Sequence, residues 1–265
     1  MAEEKPLVTI TGISGYIGSW VTLYFLQDGG YRVRGTVRDK NNAAKLEPLK
    51  TAFGEELYNQ LELVEADLLN EQSMIDACAG SAYIVHVASP FFFSPNEDEL
   101  VKPAVDGTNG AMKAAQAAGA RRIIVTSSCA AIQCLAEADK PPKGSMFDES
   151  HWSDLNRPEG MGAYLKSKTL AEKAAWDFQA ALPEDQRFEV TTICPSFVMG
   201  PPLRTEPATS TGWLKRLMEG TMDTISADHC CAVDVRDTAR AHVLAVKNAA
   251  AANRRFILCH SSPSF

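Results

Sequence analysis

The sequence predicts an α/β fold in which helices cover both faces of a doubly wound parallel sheet. Two observations lead to this prediction. Strand-like apolar runs alternate with helix-like segments along the chain, and a glycine-rich turn follows the first apolar run. Apolar runs separated by helices are typical of parallel strands that are buried on both faces. Right-handed crossover connections then wind such a sheet in two directions from its first strand.

The predicted elements alternate from the start of the chain to its end. Strands are expected at residues 7–10, 31–37, 61–64, 83–88, 121–126, 190–194 and 256–259. Helices are expected at residues 18–27, 105–118 and 164–181, and a long loop at 135–158. Prolines at 195–211 mark a departure from the sheet. We therefore expect one unit over residues 1–265, with a core at 5–196 and 232–259 and a small, truncated substrate-facing lobe at 197–231.

Composition and charge exclude several classes of function. The formal net charge of −7 argues against general affinity for nucleic acid or anionic membranes. The acidic start of the chain does not resemble a secretory signal, and no apolar run reaches the ~20 residues that a membrane-spanning helix needs. The seven cysteines have no Cys-x-x-Cys spacing and the five histidines have no ligand spacing. We expect a cytoplasmic protein with reduced thiols and no bound metal.

The glycine-rich turn predicts a site for the phosphates of a dinucleotide. Gly12, Gly15 and Gly18 recur every third residue, directly after a predicted strand and at the start of a predicted helix. Glycine permits a tight turn and close approach of the backbone to a pyrophosphate, as in the Rossmann fold. The helix N-terminus adds free N–H groups and a partial positive charge. Ser14, Tyr16 and Ile17 complete this predicted binding segment.

The end of the second strand predicts which dinucleotide is bound. An acidic residue about 20 positions after the glycines favours NAD, whereas an arginine accommodates the 2′-phosphate of NADP. The strand ends Val37-Arg38-Asp39, so both types are present. Because Arg38 comes first and Lys45 adds a second cation, we expect NADP(H), with Asp39 as the residue that opposes this choice.

A tyrosine and a lysine predict hydride-transfer chemistry. Tyr164 and Lys168 are separated by four residues, so both side chains project from one face of the predicted helix. An ammonium group nearby is expected to lower the pKa of the tyrosine, which is about 10 when unperturbed. Ser128, at the end of a predicted strand, is expected to hydrogen-bond the carbonyl oxygen of a substrate while Tyr164 transfers a proton to it.

Several motifs carry a resemblance to a known family. They are residues 11–20, 37–39, 86–90, 105–108, 126–128, 148–154 and 164–172, together with Pro195. With these motifs the chain resembles the extended short-chain dehydrogenases/reductases, in the group that contains dihydroflavonol 4-reductases, cinnamoyl-CoA reductases and fungal carbonyl reductases. The resemblance spans residues 8–258. It implies an oxidoreductase that acts on CH–OH or carbonyl groups, a small-molecule carbonyl substrate and a monomer.

The resemblance also implies the residues of the site. It implies a catalytic triad of Ser128, Tyr164 and Lys168, in which Ser128 is preferred to Ser127 because it precedes a small residue, Cys129. The remaining residues implied at the NADPH site are Arg38, Lys45, Asp67, Leu68, Val87, Ala88, Ser89, Thr126, Pro195 and Val198. Candidates for substrate contact are Phe91, Gln133 and Met199.

Three readings of the function stay open at this point. The first is an NADPH-dependent carbonyl reductase for an aldehyde, a ketone or a dihydroflavonol-like compound. The second is a hydroxysteroid dehydrogenase or nucleotide-sugar epimerase that shares the triad. The third is a regulatory protein that binds NADP(H) without turnover. Gln133 stands where plant dihydroflavonol reductases carry the asparagine that contacts the flavonoid, which argues against flavonoid specificity.

Overall fold

The computed structural model describes residues 4–89, 97–142, 145–156, 162–204, 209–222 and 231–261. Its strands are β1 (Leu7–Thr11), β2 (Arg32–Val37), β3 (Leu61–Glu65), β4 (Tyr83–His86), β5 (Arg122–Thr126), β6 (Glu189–Pro195), β7 (Phe197–Met199), β8 (Ala232–Asp234) and β9 (Arg254–Leu258). Its helices are α1 (Tyr16–Asp28), α2 (Ala43–Phe53), α3 (Glu55–Tyr58), α4 (Glu71–Cys78), α5 (Glu97–Ala118), α6 (Ala163–Ala181), α7 (Thr209–Met218) and α8 (Val235–Lys247).

Most of the strands form one parallel sheet, which confirms the predicted fold class. In the described part of the chain its order is β3-β2-β1-β4-β5-β6-β9, and every neighbouring pair is parallel. The chain therefore moves outward from β1 in one direction through β2 and β3, and then crosses back to β4. In sheets of this type, ligands bind at the carboxyl ends of the strands where the direction reverses, here between β1 and β4.

Apolar packing on the two faces of the sheet holds the helices in place. On one face, Phe25 of α1, Leu49 of α2 and Val246 of α8 belong to one apolar cluster with residues of β1, β2, β5 and β6. On the other, α4, α5 and α6 bury Met74, Met112 and Ala175 against β4 and β5. The wholly buried β1 sequence Leu-Val-Thr-Ile-Thr explains why the first strand reads as a continuous apolar run.

The predicted lobe begins with a short strand that pairs outside the main sheet. Strand β7 pairs in parallel with β8, so the chain that leaves the core at β6 meets the strand that returns to it. Helix α1 holds this region through two side chains. The Tyr16 hydroxyl donates to Gly200 O at 2.8 Å and Trp20 Nε1 donates to Pro201 O at 2.8 Å. The boundaries of core and lobe stay a prediction.

Two of the element boundaries that differ from the prediction do so for identifiable reasons. Helix α5 begins at Glu97 rather than at 105. Its acidic first turn suits a helix N-terminus but lacks apolar spacing. Strand β4 ends at His86 rather than at 88. The N–H groups of Val87 and Ala88 donate to Thr11 Oγ1, both at 3.0 Å, instead of extending the ladder.

The described residues contain neither a membrane-spanning helix nor a cluster of metal ligands. None of the helices there is both long enough and apolar enough to cross a membrane. Among the same residues, no three or more His, Cys, Asp or Glu side chains are arranged to hold a metal ion.

Candidate active site

The turn between β1 and α1 has the shape that a dinucleotide phosphate requires. Gly12 has a φ of +69°, a conformation that favours glycine. A Cβ on Gly18 would lie 2.3 Å from Gly12 O, so no larger residue fits there. The N-terminus of α1 has no side-chain cap, which leaves its first N–H groups available to an anion. The residues present therefore fit a bound pyrophosphate.

We use "adenosine end" for the residues predicted to meet the adenosine half of the cofactor, which are Arg38, Asp39, Lys45, Asp67 and Leu68. Arg38 follows β2 and is exposed, while Lys45 is half-buried on α2. Asp39 Oδ1 accepts a hydrogen bond from the N–H of Asn41 at 2.7 Å, so this carboxylate is engaged in its own turn. Asp67 Oδ1 likewise accepts from the N–H of Leu69 at 3.0 Å.

Leu68, the remaining residue of the adenosine end, is held in place by packing. The Leu68 side chain lies against the backbone of Gly107 in α5, where a Cβ would approach Leu68 Cγ to 2.6 Å. This contact holds Leu68, which follows β3, against helix α5. It also gives a physical reason for the glycine in the Val105 to Thr108 motif.

Thr11, at the end of β1, joins the glycine turn to the residues after β4. Its hydroxyl oxygen accepts the two N–H groups of Val87 and Ala88 and lies 3.0 Å from His86 Nδ1. Burial lowers the pKa of His86 to about 4, so its ring is neutral. Because Thr11 Oγ1 already accepts two N–H groups, its hydroxyl donates a hydrogen bond to Nδ1. The Cβ of Ala88 lies 3.0 Å from the Cβ position of Gly12. The residues after β4 are therefore held directly over the glycine turn.

We use "nicotinamide end" for Ser89, Ser128, Tyr164 and Lys168. The Tyr164 hydroxyl donates to Ser128 Oγ at 3.4 Å, and Lys168 Nζ donates to Ser89 Oγ at 3.1 Å. Because Ser89 directly follows Ala88, these contacts continue from the glycine turn to the tyrosine. The two α6 side chains therefore contact the residues that follow β5 and β4, and their catalytic roles stay a prediction.

The pKa of Tyr164 corrects one expectation. Burial raises this pKa, and the hydrogen bond with Ser128 offsets only part of the effect. Lys168 Nζ lies 6.0 Å from the centre of the phenol ring and donates to Ser89 instead. Burial also lowers the pKa of Lys168 to about 8. The prediction that Lys168 lowers the pKa of Tyr164 is therefore wrong for this structure, because desolvation of the phenol raises this pKa and the ammonium group is engaged by Ser89.

The remaining predicted residues have different environments. Thr126 Oγ1 lies 2.9 Å from His242 Nε2, so its side chain contacts α8. Pro195 ends β6 and is buried, and Val198 packs with Tyr16, away from solvent. Gln133 is exposed and Met199 is half-buried. Phe91 lies outside the described residues.

Sequence reasoning assigned no role to two buried residues beside the site. Glu172 lies on α6, four residues after Lys168, and accepts hydrogen bonds from Ser127 and from Arg255 of β9. A carboxylate on the same helical face as Tyr164 and Lys168 was a usable signal, because that face is expected to be buried. No local pattern pointed to Arg255.

Comparison with known proteins shows to which family this chain belongs. A family model described as the NAD dependent epimerase/dehydratase family matches residues 8–259. Dihydroflavonol 4-reductase of Zea mays is 40% identical over 207 residues, which cover 76% of this chain and 55% of that protein. Cinnamoyl-CoA reductase 1 of Oryza sativa subsp. japonica is 35% identical, over 95% of this chain and 70% of that protein.

A solved structure agrees with these sequence matches. The crystal structure of Gre2 from Candida albicans in complex with NADPH has a TM-score of 0.83 and 29% identity. The match covers 98% of this chain and 79% of that one. The chain spans about half the length of the dihydroflavonol reductases that it matches. The resemblance to the dihydroflavonol and cinnamoyl-CoA reductase group is confirmed, and the chain belongs to the NAD dependent epimerase/dehydratase family.

Proposed function

We propose that this chain is an NADPH-dependent reductase that transfers hydride to the carbonyl group of a small molecule, with Tyr164 as the proton donor. One observation carries the proposal. The hydroxyl groups of Tyr164 and Ser128 face each other at 3.4 Å, at the carboxyl edge of the sheet. They are linked through Lys168 and Ser89 to a glycine turn that fits a dinucleotide phosphate.

The contact between the two hydroxyls is long for an O–H···O bond, which is usually 2.5–3.0 Å. A carbonyl oxygen between them would replace this one weak bond with two shorter ones, from Ser128 and from Tyr164. Both bonds would strengthen as negative charge develops on that oxygen. The pair is therefore suited to binding a carbonyl group that is being reduced.

The protonation states suit reduction. Bound NADPH would supply the hydride. Because burial raises the pKa of Tyr164, the phenol carries its proton at neutral pH and is ready to donate it to the substrate oxygen. Lys168, with a pKa of about 8, is mainly charged at pH 7 and offsets the negative charge left on the phenol oxygen. The product is an alcohol.

The adenosine end supports NADPH over NADH. Arg38 is exposed at the end of β2, where a guanidinium can meet the 2′-phosphate. Asp39, which would repel that phosphate, is exposed and bonded to the N–H of Asn41. The Gre2 structure similar to this chain is itself an NADPH complex. A cytoplasmic location and a monomeric state are part of the proposal and rest on sequence alone.

Loss of NADPH absorbance on mixing with candidate substrates tests the proposal. The panel contains aldehydes, diketones, dihydroflavonols and sugar nucleotides, each with NADPH and with NADH. We expect oxidation of NADPH by at least one carbonyl compound, abolished by Tyr164→Phe. Tyr58→Phe is the matched control, because Tyr58 is a half-buried tyrosine on α3 with no contact to the site. Tight NADPH binding without oxidation across the panel would overturn the reductase and favour a regulatory dinucleotide-binding protein.

A further inference from the structure

Glu172 is a buried carboxylate that several parts of the fold surround. It is 1% exposed. Its Oε2 accepts from Ser127 Oγ at 2.6 Å and its Oε1 accepts from Thr192 Oγ1 at 2.7 Å. Arg255 Nε donates to Oε1 at 2.7 Å. A charge in this position is tolerated only because it is paired and its lone pairs are satisfied.

Arg255 is held as firmly as its partner. Its guanidinium stacks on the Trp152 ring, 3.6 Å from the ring centre. Its Nη1 donates to the carbonyl oxygens of Glu149 at 2.8 Å and His151 at 2.6 Å. The ion pair thus joins helix α6, strand β9 and the segment 145–156, so that Glu172 has little freedom to move.

The hydrogen bond from Ser127 connects this fixed point to the candidate active site. Ser127 directly precedes Ser128, and its N–H donates to Ile193 O at 2.8 Å. Glu172 lies on the same helix as Tyr164 and Lys168. One carboxylate therefore links the helix that carries Tyr164 to the residue next to Ser128. The Tyr164 and Ser128 hydroxyls, now 3.4 Å apart, must both reach one substrate oxygen, so a small displacement between α6 and this segment would misalign them.

We infer that Glu172, held by Arg255, is a positioning residue that sets the distance between Tyr164 and Ser128 through its hydrogen bond with Ser127. This inference rests on the proposed reductase function. The competing explanation is that the ion pair only stabilises the fold. Ser127 and Thr192 separate the two explanations, because both donate to the same carboxylate but only Ser127 adjoins a residue of the site.

The test compares Ser127→Ala with Thr192→Val. Each variant removes one buried donor to Glu172 and keeps the pair with Arg255. We expect similar decreases in Tm for the two. Ser127→Ala should lower kcat about tenfold, with unchanged affinity for NADPH, because the two hydroxyls are misaligned. Thr192→Val should keep kcat within about twofold, because Thr192 adjoins no residue of the site.

A deuterium isotope effect provides a readout that stability alone does not change. With NADPH deuterated at the transferred position, Ser127→Ala should show a larger isotope effect on kcat than the unsubstituted protein and Thr192→Val. The inference is overturned if the two variants have equal kcat, or if Ser127→Ala acts through NADPH affinity alone. An unsubstituted protein without turnover would instead overturn the proposed function, and the inference with it.

Discussion

The residues of the adenosine end bond to close neighbours in sequence, whereas those of the nicotinamide end bond across long separations. Asp39 and Asp67 each accept from an N–H two residues away, and both are exposed. Tyr164 and Ser128 are 36 residues apart, and Lys168 and Ser89 are 79 apart. The adenosine end is therefore built by local turns that present charge to solvent, and the nicotinamide end by the assembled sheet. We expect substitutions at the first to change affinity and substitutions at the second to change rate.

The largest effect is expected from Tyr164→Phe. Loss of the proton donor should lower kcat about a thousandfold, within the range measured for general acids. The NADPH dissociation constant should stay within about twofold, because the phenol hydroxyl contacts Ser128 rather than the predicted phosphate site. Single-turnover kinetics and a fluorescence titration with NADPH measure the two quantities. A parallel loss of rate and affinity would break the division between the two ends.

Arg38→Ala tests whether the adenosine end determines dinucleotide affinity without changing the rate. Loss of one charge-assisted contact should weaken NADPH binding about tenfold to a hundredfold, and leave NADH binding and kcat at saturation unchanged. Arg32→Ala is the control, because Arg32 lies at the opposite end of β2 and pairs with Glu4. Titrations with both dinucleotides measure the effect. Equal losses for NADPH and NADH would show that Arg38 does not contact the 2′-phosphate.

The buried ammonium group of Lys168 should lower the free energy of unfolding at neutral pH. Its pKa is about 8 in the folded state and about 10.4 when unfolded. Between these two pH values the unfolded chain binds more protons than the folded protein. The free energy of unfolding therefore increases as pH rises through this window. Lys168→Met removes the penalty, which at pH 7 is on the order of 2 kcal/mol for this half-buried group.

Urea denaturation at pH 7 and near pH 10 measures this effect. The advantage of Lys168→Met over the unsubstituted protein should be present at pH 7 and largely absent near pH 10. Lys102→Met is the control, since Lys102 is exposed on α5 and such a charge contributes little. If Lys168→Met is equally or less stable at pH 7, the ammonium group is not desolvated as the structure shows.

The smallest effect is expected from Asp39→Asn at the adenosine end. Asparagine keeps an oxygen that can accept the N–H of Asn41, so the turn is preserved while the negative charge is lost. Exposed charges interact weakly, and NADPH affinity should rise less than about threefold. A titration at low salt measures it. A gain of tenfold or more would mean that Asp39 directly faces the phosphate and that the local turn does not hold it away.

The same contrast explains how much was predictable from sequence. The glycine turn after β1 and the common helix of Tyr164 and Lys168 were predictable because local spacing sets their geometry, whereas the role of Arg38 stays a prediction. The direction of the pKa shift of Tyr164 could not be predicted from the sequence, because desolvation depends on packing between distant segments. Arg255 lies 83 residues from Glu172, so only the paired strands and helices bring them together.

A crystal structure of the complex with NADP⁺ would locate both halves of the dinucleotide on the protein. We expect the 2′-phosphate at Arg38, the pyrophosphate at the N-terminus of α1 and the nicotinamide ring beside Tyr164 and Ser128. A dinucleotide bound in the reverse direction, or a nicotinamide ring beyond reach of Tyr164, would overturn the proposed reductase.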